Sequence, residues 1–226
     1  MEKTLVFDFC LELKRRLEAE GRYKVVMTRN SDEFVDLDDR VSRARATDAS
    51  LFISVHADTL AEAADVDAST VYTAADRASD AEAARIATRE NAASRGAEKL
   101  GGDDPAIAGM LFDLQRRETR AYSHIFSRGL IQRLRGAARL NHNPERSAGF
   151  VVLKAPEFPS VLVELGYLSN TQDVQSLASP DWRQKMAAAM AKAIDAFFAG
   201  PNRVGVQAGM ALDERLGPAL SPASSH

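Results

Sequence analysis

The run Leu51–Ala57, LFISVHA, constrains the fold of this chain more than any other stretch. It is almost continuously apolar, so a strand built from it must be covered on both faces. Such strands belong to parallel sheets flanked by helices. A second run, Ser160–Leu168 (SVLVELGYL), has the same character. Each contains one residue unsuited to a dry interior, His56 in the first and Glu164 in the second. In open α/β sheets the crevice at the carboxyl ends of the strands is where ligands sit. Burying an unpaired carboxylate is costly, so Glu164 must meet an arginine, hold a metal or take up a proton. His56 taken alone reads equally as a strand-end histidine hydrogen-bonded to backbone.

The pattern around these runs fits a layered α/β architecture. Val6, Phe9, Cys10, Leu13 and Leu17 repeat at helical spacing, and Gly21 ends that helix. Lys24–Arg29 (KVVMTR) is a short β-branched run and predicts a strand. Leu37, Val41 and Ala44 give the buried side of a second helix, and Ser69–Thr73 predicts another strand. Helix and strand thus alternate, which implies a mostly parallel twisted sheet with helices on both faces. Residues 76–140 break the rhythm with a helical insertion rich in alanine and arginine, interrupted at Gly101–Pro105. Strands resume at Ala148–Lys154 (AGFVVLK) and Ser160–Leu168. The polar stretch NHNPERS before them reads as a loop. A closing amphipathic helix spans Asp181–Phe198, with Trp182, Met186, Met190, Ile194 and Phe197 on one side. One domain is expected over residues 1–199, followed by a disordered tail at 200–226.

Composition narrows the function classes. A net charge of -3 gives no basic footprint for nucleic acid. The apolar runs are far shorter than the roughly 20 residues a membrane span requires, so the chain is not expected to span a membrane. Cys10 is the only cysteine, which excludes an intrachain disulfide, and it lies on the apolar side of its helix. The first residues, MEKTLVFDFCLELKRR, form an amphipathic helix broken by Asp8 and Glu12, not a secretory signal. A domain seldom opens inside its own first helix, so a segment upstream of Met1 is expected.

Taken together, SVHAD, VELGYLSN, TRNSDEFVDLDDRVSRA and FVVLKAPEFPSVLVELGYLSN resemble, in register from Met1 to about Phe198, the zinc-dependent N-acetylmuramoyl-L-alanine amidases that separate bacterial daughter cells. The resemblance implies one Zn²⁺ held by two histidines and a glutamate, and a further glutamate acting on the attacking water. His56 matches the ligand of the family's S-x-H-A motif. Glu164 matches the catalytic glutamate of E-x-G-F-x-S-N, with Tyr167 where phenylalanine is common. Glu2, by itself a first-turn acid favoured by the helix dipole, falls on the glutamate ligand. The family's other histidine precedes this helix in a Gly-His-Gly-Gly loop after the first strand. His124, His142 and His226 offer no replacement. The resemblance therefore implies a chain short of its first strand and of one histidine ligand, with weak zinc binding and little activity.

The same resemblance implies regulation and location. In the cell-separation branch an inserted helix can cover the zinc cleft until an activator withdraws it. SDAEAARIATRENAASRGAEKLGG is similar to the start of that insertion, and Glu90 is the carboxylate expected to reach the metal. The implied partners are peptidoglycan and a coiled-coil activator protein. Ile107–Leu114 (IAGMLFDL) reads first as a core segment and second as a contact candidate for the activator. The implied compartment is the periplasm. The alternatives are a non-catalytic peptidoglycan-binding remnant of the domain and another zinc peptidase such as a carboxypeptidase.

Overall fold

LFISVHA forms strand β1 (Phe52–His56), and SVLVELGYL contributes β4 (Ser160–Glu164). The computed structural model describes residues 2–59, 68–92 and 106–200, with side chains of the last stretch from 112 onward. Between the two strands in sequence come β2 (Ser69–Ala74) and β3 (Leu140–Ala148). The four form one mixed, mostly parallel sheet in the order β1-β4-β2-β3. β1 is parallel to β4 and β2 to β3, while β2 and β4 run antiparallel.

Helices cover both faces, as the unalternating strands require. On one side lie α1 (Glu2–Glu18), α4 (Ala106–Leu134) and α6 (Pro180–Ala199). Their Phe9, Leu13, Phe126, Leu130, Met186 and Met190 pack with Val71, Val161 and Val163 of the strands. On the other side α2 (Leu37–Ala46) and α3 (Ala81–Ala92) bring Leu37, Val41 and Ile86 against Phe52, Tyr72 and Leu162. A further helix, α5 (Thr171–Ala178), joins β4 to α6. It is capped by Asn170, whose side chain accepts from Gln172 N and Asp173 N. Gly21 adopts φ +68 and its N–H caps Glu18 O, which ends α1 where expected.

The structure corrects two expectations. KVVMTR joins no strand of the sheet. Side chains of the first two helices satisfy its backbone instead: Lys14 Nζ donates to Val25 O at 2.9 Å and Arg43 to Thr28 O at 2.5 Å. Val25 N donates to Glu18 Oε1 at 3.1 Å. AGFVVLK is not a strand either, because the strand precedes it, in the polar NHNPERSA. β3 sits at the sheet edge and pairs only with β2, so it tolerates Pro144 and a register shift opposite Ser69 and Val71. FVVLK owes its apolar character to a 3-10 turn, Val151–Leu153, which packs with Phe150 beneath α2. The insertion is helical on both sides of 93–105. The expected turn at Gly101–Pro105 and the expected tail from residue 201 lie outside the described residues.

Candidate metal and catalytic site

The parallel register of β1 and β4 pairs His56 with Glu164, so the two side chains leave the same sheet face as neighbours. The antiparallel register of β4 and β2 sets Thr70 opposite Glu164 on its other side. His56, Glu164 and Thr70 thus stand in a row across three adjacent strands. Two helices add carboxylates to this row. Glu2, at the start of α1, brings Oε1 to 3.9 Å from His56 Nδ1 and accepts from Ala57 N at 3.5 Å. Glu90, in the last turn of α3, brings Oε2 to 3.0 Å from the same His56 Nδ1. Just past β1, Asp58 donates its backbone N–H to Glu164 Oε2 at 3.3 Å. Glu2, His56, Asp58, Glu90 and Glu164 therefore share one locus at the carboxyl ends of β1 and β4.

The electrostatics follow from crowding acids in a buried place. Burial, and then the charges of Asp58 and Glu90, push the Glu164 carboxyl well above the usual carboxylate range. Burial, followed by the charges of Glu90 and Glu2, pushes Asp58 up to about 7. For His56, burial opposes the charged ring, but the hydrogen bond and charge of Glu90 outweigh it and raise its pKa. Burial alone would raise the Glu90 pKa, yet the His56 contact outweighs it and leaves Glu90 below the ordinary value. Asp58 Oδ2 and Glu164 Oε1 are buried without a hydrogen-bond partner.

This donor set fits a divalent metal ion. One ligand atom each from Glu2, His56 and Asp58 lies within 4.8 Å of the others, and imidazole nitrogen and carboxylate oxygen are both zinc donors. Ser54 Oγ lies 2.9 Å from His56 Nε2. Through that hydroxyl Ser54 steadies the ring from Nε2, while Nδ1 faces Glu2 and Glu90 and, once deprotonated, could hold a metal. A cation there would offset the mutual repulsion of the acids and engage the orphaned Asp58 oxygen.

The scaffold around Glu164 is anchored by Asp173 of α5. Its carboxylate accepts from Ala68 N at 2.8 Å and Tyr167 N at 3.0 Å, and pairs with Arg139 at 2.9 Å. Gly166 must be glycine, because a Cβ there would lie 3.0 Å from Asp173. The phenol of Tyr167 is buried and meets Tyr72 Oη at 3.2 Å, so the extra hydroxyl of a tyrosine at this position is satisfied.

Of the residues singled out in the sequence, Glu2, His56, Glu90 and Glu164 come together. His124 lies on α4 beside Glu145, 3.4 Å away, and His142 is exposed on β3. His226 lies outside the described residues. Within Ile107–Leu114, Phe112 and Leu114 are exposed, so they are not core. Asp58, Ser54 and Asp173 were missed, although Ser54 lies inside the run that yielded His56 and Asp58 follows it at once. An acid directly after an apolar strand that ends on histidine was the available signal.

Comparison with known proteins matches residues 1–196 to the family model Amidase_3, N-acetylmuramoyl-L-alanine amidase. N-acetylmuramoyl-L-alanine amidase AmiC of Escherichia coli O6:H1 is 34% identical over 200 residues, covering 88% of this chain and 48% of the relative. AmiA of Escherichia coli K12 is 34% identical over 198 residues, covering 87% of this chain and 68% of the relative. The chain thus spans about half of AmiC and two thirds of AmiA. Among solved structures, N-acetylmuramoyl-L-alanine amidase AmiC2 of Nostoc punctiforme shares the fold, with a TM-score of 0.57 at 23% identity over 88% of this chain and 85% of that one.

Proposed function

Because this chain belongs to the N-acetylmuramoyl-L-alanine amidase family, we propose that residues 1–199 form a zinc-dependent catalytic unit acting on peptidoglycan. It cuts the amide between the lactyl group of N-acetylmuramic acid and the L-alanine of the stem peptide. The observation that carries this reading is the in-register pair His56 and Glu164, with Glu2 and Asp58 gathered around it.

Glu2, His56 and Asp58 would hold Zn²⁺. When bound, zinc supplies Lewis acidity, which polarises the scissile carbonyl and makes water a better nucleophile near neutral pH. Glu164 is the general base. Standing in register with His56, it is placed to take the water proton and then give it to the leaving amine of L-alanine. Ser54 fixes the His56 ring, and Asp173 holds the strand-end loop that carries Glu164. Burial keeps competing water away from the carboxyl.

Glu90 gives the unit an off state. Its carboxylate sits on His56 Nδ1, the atom a metal would use, and would compete with water and substrate there. Release of α3 then requires an activator, which we assign to the coiled-coil class and to the periplasm. The exposed Phe112 and Leu114 on α4 offer it an apolar contact. The cellular role that follows is wall remodelling during daughter-cell separation.

The test measures bound zinc and the release of stem peptides from purified muropeptides. The zinc-loaded chain is expected to free the whole stem peptide. Glu164→Gln should keep its zinc and lose about 100- to 10,000-fold in rate. Release of terminal residues alone, or full activity in Glu164→Gln, would refute the reading.

A further inference from the structure

Among the buried strand hydroxyls, Thr70 is the exception. Ser54 meets His56, Ser69 donates to Leu165 O, Thr73 to Arg146 O and Ser160 to Leu153 O. Thr70 Oγ1 is buried with no partner, and Thr70 has no exposed surface. Valine would fill the same space without stranding a hydroxyl, and Val71, Val161 and Val163 do so nearby. The position of Thr70 supplies a reason for the hydroxyl. Thr70 pairs with Glu164 across β2 and β4, so the two side chains leave one sheet face side by side. Glu164 Oε2 receives Asp58 N–H, while Oε1 is buried and has no donor. A donor lacking an acceptor thus stands in register with an acceptor lacking a donor.

We propose that Thr70 is a positioning residue for Glu164, whose hydroxyl turns onto Oε1 in the working state and fixes the plane of the carboxylate. Each carboxylate oxygen has two lone pairs. Asp58 N–H occupies one on Oε2 and Thr70 Oγ–H occupies one on Oε1. The carboxylate is then gripped from both neighbouring strands and still has lone pairs to receive the proton of the attacking water. His56 faces Glu164 from the β1 side and Thr70 faces it from the β2 side, so the base is held between the metal-binding strand and its antiparallel neighbour.

This inference rests on Glu164 being the base, and the experiment separates the two. Thr70→Val, Thr70→Ser and Glu164→Gln are compared with the unsubstituted, zinc-loaded full chain on purified muropeptide. Thr70→Val is expected to lower kcat about 10- to 100-fold with KM within about twofold. Thr70→Ser, which keeps the hydroxyl, should return kcat to within about threefold. The melting temperature of Thr70→Val should equal or exceed that of the unsubstituted chain, which separates positioning from folding. A crystal structure of the zinc-loaded chain should place Thr70 Oγ1 within hydrogen-bonding distance of Glu164 Oε1. Unchanged kcat in Thr70→Val, failure of Thr70→Ser to rescue, or separated oxygens in that structure would overturn the role of Thr70. If Glu164→Gln is inactive while Thr70→Val is normal, only the Thr70 inference fails. If Glu164→Gln turns over normally, or the unsubstituted chain does not turn over, the reading of Glu164 fails and takes the inference with it.

Discussion

His56 is held from both ring nitrogens, and the partners differ in kind. Nε2 faces the neutral hydroxyl of Ser54 at 2.9 Å, while Nδ1 faces the carboxylates of Glu90 and Glu2. The Ser54 hydroxyl steadies the ring from the Nε2 side, leaving Nδ1 as the nitrogen a cation would meet in place of its proton. Ser54→Ala should therefore weaken zinc binding about 10- to 100-fold, the usual cost of removing an orienting partner. Competition titration against a chromogenic chelator measures this, and unaltered affinity would show that the ring needs no such help. Cys10 illustrates the opposite case of a reactive group kept inert. Burial on α1 pushes its thiol up to about 12, so it has little thiolate character at neutral pH.

At the level of elements, α3 is the helix that carries Glu90 to His56. Only Ala83, Ile86 and Ala87 are buried along it, two of them small, so its apolar hold on the body is slight. Polar contacts at both ends do most of the fastening. Arg146 pairs with Asp80 at 2.7 Å and Glu82 at 3.0 Å near the start. At the other end Asn91 brackets the backbone of Gly149 and Val151, and Arg89 donates to Thr59 O. Glu90→Ala should raise basal muropeptide hydrolysis at least about fivefold, because it clears His56 while leaving the helix in place. Equal or lower activity in that variant would remove Glu90 from any blocking role.

For the whole molecule, two cores on opposite faces of one sheet divide the labour. The larger lies between α1, α4, α6 and the sheet. Leu130 is fully buried within it. Leu130→Ala should cost about 2–5 kcal/mol of stability in denaturant unfolding, with zinc affinity of the folded chain unchanged. Loss of zinc affinity in step with stability would mean that the site and this core are not separable. Much of the architecture was legible without coordinates. Periodicity is a local property, so the helices Glu2–Glu18 and Leu37–Ala46, the strands around Ile53 and Leu162 and the closing helix followed from spacing alone. That His56 and Glu164 are ionisable residues in apolar strands was legible for the same reason, while the roles expected of them came from the family resemblance, and the structure sets the two side by side. Position in the sheet was not legible, because edge and interior depend on distant partners. KVVMTR has strand-forming residues, yet helix side chains take its hydrogen bonds, and polar NHNPERSA pairs at an edge where no second face needs covering. The sequence by itself determined which segments are helix or strand at the centre, and that one ionisable residue would stand in each of two apolar strands. Only tertiary structure brought Ala57 to Glu2 across 55 residues and Asp58 to Glu164 across 106. Contacts at such separations are fixed by how the layers pack, and no local pattern encodes them.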